Sequence, residues 1–134
     1  MNTMLWFLQG TLAAVFLASG STKSWMAEDR LVAMGQTGVG PLPMPLVRLG
    51  AILEIPGAVG VLLPWATGIL PVLTPLAAVG FAIIMAVAIP SHIYLWRRGV
   101  GARRVREKIN VVGTSAIFLA SVTVAIARFA QLSA

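Results

Sequence analysis

Apolar residues gather in four long runs: Leu5 to Gly20, Leu46 to Leu63, Leu73 to Leu95 and Ile109 to Phe129. The second run, wound as a helix, is about 27 Å long. That is close to the roughly 30 Å hydrocarbon core of a bilayer. The first run reaches the same length if Asn2 and Ser21 sit at the two interfaces. In lipid every backbone N–H and C=O must find its partner within the segment, so all four runs must be helices. The pattern predicts an all-α membrane protein, a four-transmembrane-helix bundle. It forms one transmembrane domain over residues 1–134, with helices near 3–22, 45–64, 72–96 and 109–130 and loops at 23–44 and 97–108.

The first loop predicts a short interfacial helix between helices 1 and 2. Ser24 can cap it, with Glu28 and Asp29 in its early turns. Trp25, Met26, Val32 and Met34 are expected on the membrane surface. Gly35, Gly38 and Gly40, then Pro41, Pro43 and Pro45, predict a kinked return, with Pro45 opening helix 2. This connector is a lid, a partner surface or a plain link.

Composition supports the membrane reading. Of 134 residues, 58% are hydrophobic and 10% charged, against about 25% charged in soluble domains. A chain this short has no soluble core large enough to hide so much apolar surface. There is no cysteine, which excludes disulfides, thiol exchange and thiolate-ligated metals or clusters. A single histidine excludes bis-histidine haem within the chain, and no metal site is assigned.

The formal charge is +6, and its distribution is uneven. Arg97, Arg98, Arg103, Arg104, Arg106 and Lys108 cluster between the third and fourth runs, and Lys23 and Arg30 lie between the first and second. The link "PWATGILP" carries no charge. Positive loops stay in the cytoplasm. The expected arrangement is therefore a multi-pass protein of a bacterial inner membrane, with cytoplasmic basic loops and both termini outside. Arg128 is the exception, near the outer end of the last run. Orientation and anionic lipid account for the basic loop, and nucleic acid is not an expected partner. Residues 1–20 lack the positive start of a signal peptide and are read as a membrane span. Trp6, Trp25, Trp65 and Trp96 all fall at or near predicted interfaces, where indoles settle.

Candidate chemistry sits in "RLGAILEIPG", residues 48–57. Glu54 lies about 12 Å along the helix from Leu46. An intramembrane carboxylate costs roughly 2.5–3.5 kcal/mol on insertion scales, so it seldom faces lipid. Arg48 is shallower and turned about 240° from it, so Glu54 should find its partner on another helix. Helix 3 offers His92, and helix 4 offers Asn110 and Thr114, with Ser115 beside them. Helix 1 ends in Ser19, Ser21, Thr22 and Lys23. Pro56 and Pro90 leave the carbonyls of Ile52 and Ala86 without their helical donors. Together these predict a buried polar pocket at the cytoplasmic end. Its acid/base groups are Glu54 and His92, and its ligand-binding residues are Arg48, Lys23, Asn110 and Thr114. The structural alternatives are that Glu54 is an interhelical strut and the hydroxyl stripe of helix 4 packing glue.

The segments "RLGAILEIPGAVGVLLP" and "TGILPVLTPLAAVGFAIIMAVAIPSH", with "ASGSTKSW" upstream, resemble the DoxX-like family of small four-helix membrane proteins. The family's Arg, Glu and His fall on Arg48, Glu54 and His92, its loop lysine on Lys23, and its "GxLLP" turn on Gly60 to Pro64. Helix 4 matches only in length and polarity. The resemblance implies a membrane subunit of a quinone-linked oxidoreductase complex, or a helper in membrane-protein assembly. The expected function is an accessory subunit that binds a small amphipathic molecule, with a quinone headgroup as the leading example. Two alternatives stay open: an acid/base isomerase or cyclase acting on a lipophilic substrate, and a non-catalytic assembly factor. The partners expected are the lipid bilayer, such a lipophilic molecule and a membrane complex, and a homodimer is compatible with so small a bundle. No cofactor is assigned.

Overall fold

A computed structural model of the protein describes residues 2–134. Four helical segments among them are long and apolar enough to cross a membrane: Asn2–Trp25, Met44–Thr67, Leu73–Arg98 and Ala102–Ser133. The first is helix α1 (Asn2–Trp25). A short α2 (Glu28–Ala33) and a 3-10 turn (Thr37–Val39) follow. The second segment is α3 (Met44–Gly60) with a one-turn continuation, α4 (Leu63–Thr67). The third is α5 (Leu73–Arg98) and the fourth α6 (Ala102–Ser133). The helices alternate in direction, so α2, the 3-10 turn and the α5–α6 turn share one end, called here the basic end. Asn2, α4 and Ser133 mark the far end.

The helices are sorted by a logic opposite to that of a soluble protein. On α3 the buried stripe is Val47, Ala51, Glu54 and Ala58, at spacings of four, three and four. The large apolar residues Leu49, Ile52 and Leu53 face outward. Lipid solvates leucine as well as any core does, so small and polar residues turn inward, where helices approach and polar groups find partners. α1 packs mainly on α3, and α5 mainly on α6. The two hairpins meet through a core that includes Phe16 and Phe81, stacked with ring centroids 3.7 Å apart. A separate small cluster of Leu31, Val39 and Val47 ties α2 and the 3-10 turn to α3.

Helix boundaries at the basic end differ from the sequence expectation for one reason. Hydropathy marks where a helix leaves hydrocarbon, not where it ends. α6 begins at Ala102 rather than near 109, because "ARRVREK" contains good helix formers and no breaker. The basic residues from Arg103 to Lys108 therefore ride on a helix, and the connecting turn shrinks to 99–101. α1 runs to Trp25 rather than 22. Its Ser21, Thr22 and Ser24 hydroxyls bond back to the carbonyls of Leu17, Ala18 and Gly20 at 2.6, 3.1 and 2.5 Å. Ser24 thus ends α1 instead of capping α2, whose N-cap is Ala27. Pro45 lies one position inside α3, after Met44. Of the residues expected on the membrane surface, Trp25 and Met34 are exposed, while Met26 and Val32 pack against the Leu31 cluster.

Candidate functional site

The polar residues at the basic end form two units, one on each hairpin. In the first, α1 and α3 approach closely at Gly20. A side chain there would meet the Ala51 carbonyl and the Glu54 Cβ, each at 2.9 Å. That approach brings the last turn of α1 over Glu54, which is 1% exposed. Lys23 Nζ donates to Glu54 Oε1 at 2.6 Å. Glu54 Oε2 is buried and makes no hydrogen bond within the chain. Arg48 donates both terminal nitrogens to the carbonyls of Lys23 and Met26. These oxygens lie at and just past the end of α1, where the last carbonyls have no helical partner and a cation is favoured. Arg48 thereby fixes the backbone that carries Lys23.

The second unit joins α5 to α6. His92 Nδ1 lies 2.9 Å from Glu107 Oε2. Asn110 donates to the same oxygen at 3.4 Å and to Thr37 Oγ1 at 3.3 Å. Glu107 is wholly buried, and its Oε1, like Glu54 Oε2, has no partner in the chain. Each carboxylate therefore has one oxygen engaged and one not.

A short loop lies across both units. Gln36 Nε2 donates to Thr22 Oγ1 at 2.6 Å on α1. Thr37 takes the Asn110 bond from α6. Ser91 Oγ on α5 donates to the Gly38 carbonyl at 2.5 Å. Gly38 itself presses on the imidazole, and a Cβ there would stand 2.7 Å from His92 Nε2. Only glycine allows that approach. The polar centre is thus closed over by residues 36–38. Open grooves lie elsewhere and are apolar, including one of about 370 Å³ between α5 and α6 lined by Ile83, Ala86, Phe118 and Val122.

The residues singled out in the sequence are thus divided. Lys23 and Glu54 meet directly, and Arg48 serves them through the backbone. His92 and Asn110 meet each other's neighbour Glu107. The direct partner of His92 is Glu107 rather than Glu54. Thr114 bonds only to carbonyls of its own helix, those of Asn110 and Val111. Pro56 does not aim a free carbonyl at the centre, since Ile52 and Pro56 both face outward. Sequence reasoning missed Glu107, Gln36, Thr37, Gly38 and Ser91. Glu107 carried a signal: it stands three residues before Asn110 and seven before Thr114, on the same helical stripe.

Chemically, the first unit is a neutralised ion pair. The second is a carboxylate–imidazole dyad, an arrangement that fixes the ring's orientation and tautomer. Both can hydrogen-bond a polar headgroup, and the dyad can also hold or pass a proton.

The far end holds a third polar cluster that the sequence reading did not assemble. Arg128 is wholly buried. Its Nε donates to Gln9 Oε1 at 2.8 Å, and Nη1 donates to Asn2 Oδ1 at 2.9 Å and Gln131 Oε1 at 2.7 Å. Its Nη2 also donates to Gln9 Oε1. The guanidinium lies 4.3 Å from the Trp65 ring centroid and 5.2 Å from that of Trp6. Gln9 in turn donates to the Val61 carbonyl at 2.6 Å. Trp6 and Trp65, expected at a membrane interface from their positions in the sequence, flank this buried cation.

A model of the DoxX-like family matches residues 7–125. No curated protein and no solved structure matches the chain.

Proposed function

The chain belongs to the DoxX-like family, and from that premise we propose that it is an accessory membrane subunit binding the polar head of a small amphipathic molecule of the quinone class. The head sits at the basic end, among Glu54, Lys23, His92, Glu107 and Asn110, and the apolar tail lies among the lipid-facing helices. In this reading the basic end faces the cytoplasm of a bacterial cell. The observation that carries it is a pair of buried carboxylates toward one end of the bundle, each with an oxygen the chain leaves unbonded. Buried acceptors without a partner are costly. Intramembrane acids held at such cost mark ligand or proton sites more often than struts. Arg48, placed by sequence as a ligand contact, acts in this proposal by positioning Lys23.

The test is equilibrium binding of a decyl-tailed benzoquinone and its quinol to the purified protein in lipid nanodiscs. Glu54→Gln and His92→Ala should each weaken binding. Unchanged affinity in both would remove the polar centre from the function.

The His92–Glu107 dyad also supports a second reading, an acid/base enzyme acting on a lipophilic substrate. It predicts that the protein alone, in heavy water, places deuterium into a component of a membrane lipid extract. Loss of that exchange in Glu107→Gln would support it, and no exchange with wild type would end it.

A further inference from the structure

The seam between α5 and α6 carries a second pattern, away from the polar centre. Its groove of about 370 Å³ is lined by apolar side chains. On α5 the lining residues Val79, Ile83 and Ala86 are followed by Pro90, Ile93 and Arg97, at spacings of four, three, four, three and four. On α6, Arg104, Lys108, Val111 and Ser115 lead to the lining residues Phe118 and Val122 with the same alternation. Residues so spaced share one face of a helix. None of these twelve residues is buried. The seam is therefore an accessible, largely apolar strip that ends in three cations at the basic end.

Those cations have no acid to answer them. The ion pairs among the described residues are Lys23–Glu54 and His92–Glu107, and neither involves Arg97, Arg104 or Lys108. Glu107, beside Lys108 in sequence, is wholly buried and turned to His92. Such a strip complements an amphiphile with an anionic head, and guanidinium and ammonium groups at a membrane surface favour phosphate.

Depth decides which amphiphile. By helical rise the groove begins about 16 Å from Arg97, at Ala86, and runs to Val79, about 27 Å away. The hydrocarbon of one leaflet is about 15 Å deep. The tail of a phospholipid anchored at these cations therefore stops where the groove starts. Filling the groove takes a tail that crosses into the opposite leaflet, as a long isoprenoid chain does.

We propose that the α5–α6 seam binds a polyprenyl monophosphate, with its phosphate at Arg97, Arg104 and Lys108 and its tail in the groove beyond Ala86. This site is separate from the polar centre and does not depend on the ligand proposed there.

Native mass spectrometry of the protein released from nanodiscs measures occupancy by undecaprenyl phosphate, undecaprenol, geranyl phosphate and phosphatidylglycerol, each at the same mole fraction. Undecaprenyl phosphate should bind most tightly to wild type. Each surface cation is worth about fivefold, so Arg97→Gln, Arg104→Gln and Lys108→Gln together should weaken it about a hundredfold. The same change at Arg98, Arg103 and Arg106, which lie off both stripes, removes equal charge and should have a much smaller effect. Ala86→Phe plugs the groove, and losing roughly ten atom contacts should cost undecaprenyl phosphate about tenfold. Geranyl phosphate, too short to reach the groove, should be unaffected by it. The comparison of lipids on wild type stands even if a variant fails to fold. Phosphatidylglycerol or undecaprenol binding as tightly as undecaprenyl phosphate, equal losses in the two triple variants, or full affinity in Ala86→Phe overturns the proposal.

Discussion

The two ends of this bundle each bury charge, and they treat it differently. At the far end, Arg128 is a cation with no acid among its hydrogen-bond partners, yet it is well served. Amide oxygens from α1 and α6 take its hydrogens, and two indole rings flank it. At the basic end, each of two acids has a basic partner on one oxygen and nothing on the other. Arg128 is wired as a fastener, because neutral dipoles and ring faces offset its desolvation without leaving a group free. Glu54 and Glu107 are held in place and left incomplete. Buried charge in a membrane chain is therefore weak evidence for a site until its hydrogen bonds are traced atom by atom.

Removing the fastener should have the largest effect. Arg128→Ala strands the Gln9 oxygen and empties the space between Trp6 and Trp65. It should destabilise the folded bundle by about 3–5 kcal/mol, the unpaired Gln9 oxygen costing about 1–3 kcal/mol and the emptied volume and lost ring contacts the rest. Thermal unfolding in detergent measures this, and quinol affinity of the fraction still folded should not change. A variant of normal stability and lost affinity would reverse the comparison.

Glu54→Gln should cost less, about 1.5–3 kcal/mol, the range for a hydrogen bond to a charged group. Pairing it with Lys23→Met should recover part of that loss in a double-mutant cycle. Quinol binding should stay weak in the double variant. Full recovery of binding would make Glu54 a strut.

Gly38→Ala should cost about 1–3 kcal/mol, the usual penalty for forcing a methyl into packed space. The methyl meets the imidazole before any ligand does. Association of the quinol should change more than its affinity, readable by stopped-flow fluorescence. Unchanged kinetics would show that the loop is not the route.

Thr114→Ala should shift stability by under about 0.5 kcal/mol and leave binding unchanged, because its hydroxyl serves only its own helix. A marked loss of affinity would return the hydroxyl stripe of α6 to the site.

What the sequence disclosed follows from what a linear pattern can carry. Four apolar runs of membrane length leave helices as the only spanning structure, and the depth of Glu54 follows from counting residues. Depth does not give azimuth. Glu54 and His92 lie toward the same end but have different partners, because the pairing depends on how hairpins rotate against each other. Lys23 was placed in a loop because polarity was taken for a helix end, whereas three more residues of α1 turn it inward. Glu107 was hidden by company: it is the one acid among six basic residues, a stretch that reads as solvated until the helix is extended beneath it. Gln9 and Arg128 are 119 positions apart, and nothing in one chain's pattern announces that they touch.

The stacked rings of Phe16 and Phe81 at mid-depth, and Arg128 beyond them, rivet the two hairpins together away from the basic end. At the basic end the loop of residues 36–38 is stitched to α1, α5 and α6 by single bonds. The bundle is built like a clothes-peg, with its spring at the rivets and its jaws at the stitched end. A pull on that loop is met by three single bonds before it reaches the rivets, so the jaws part before the spring does.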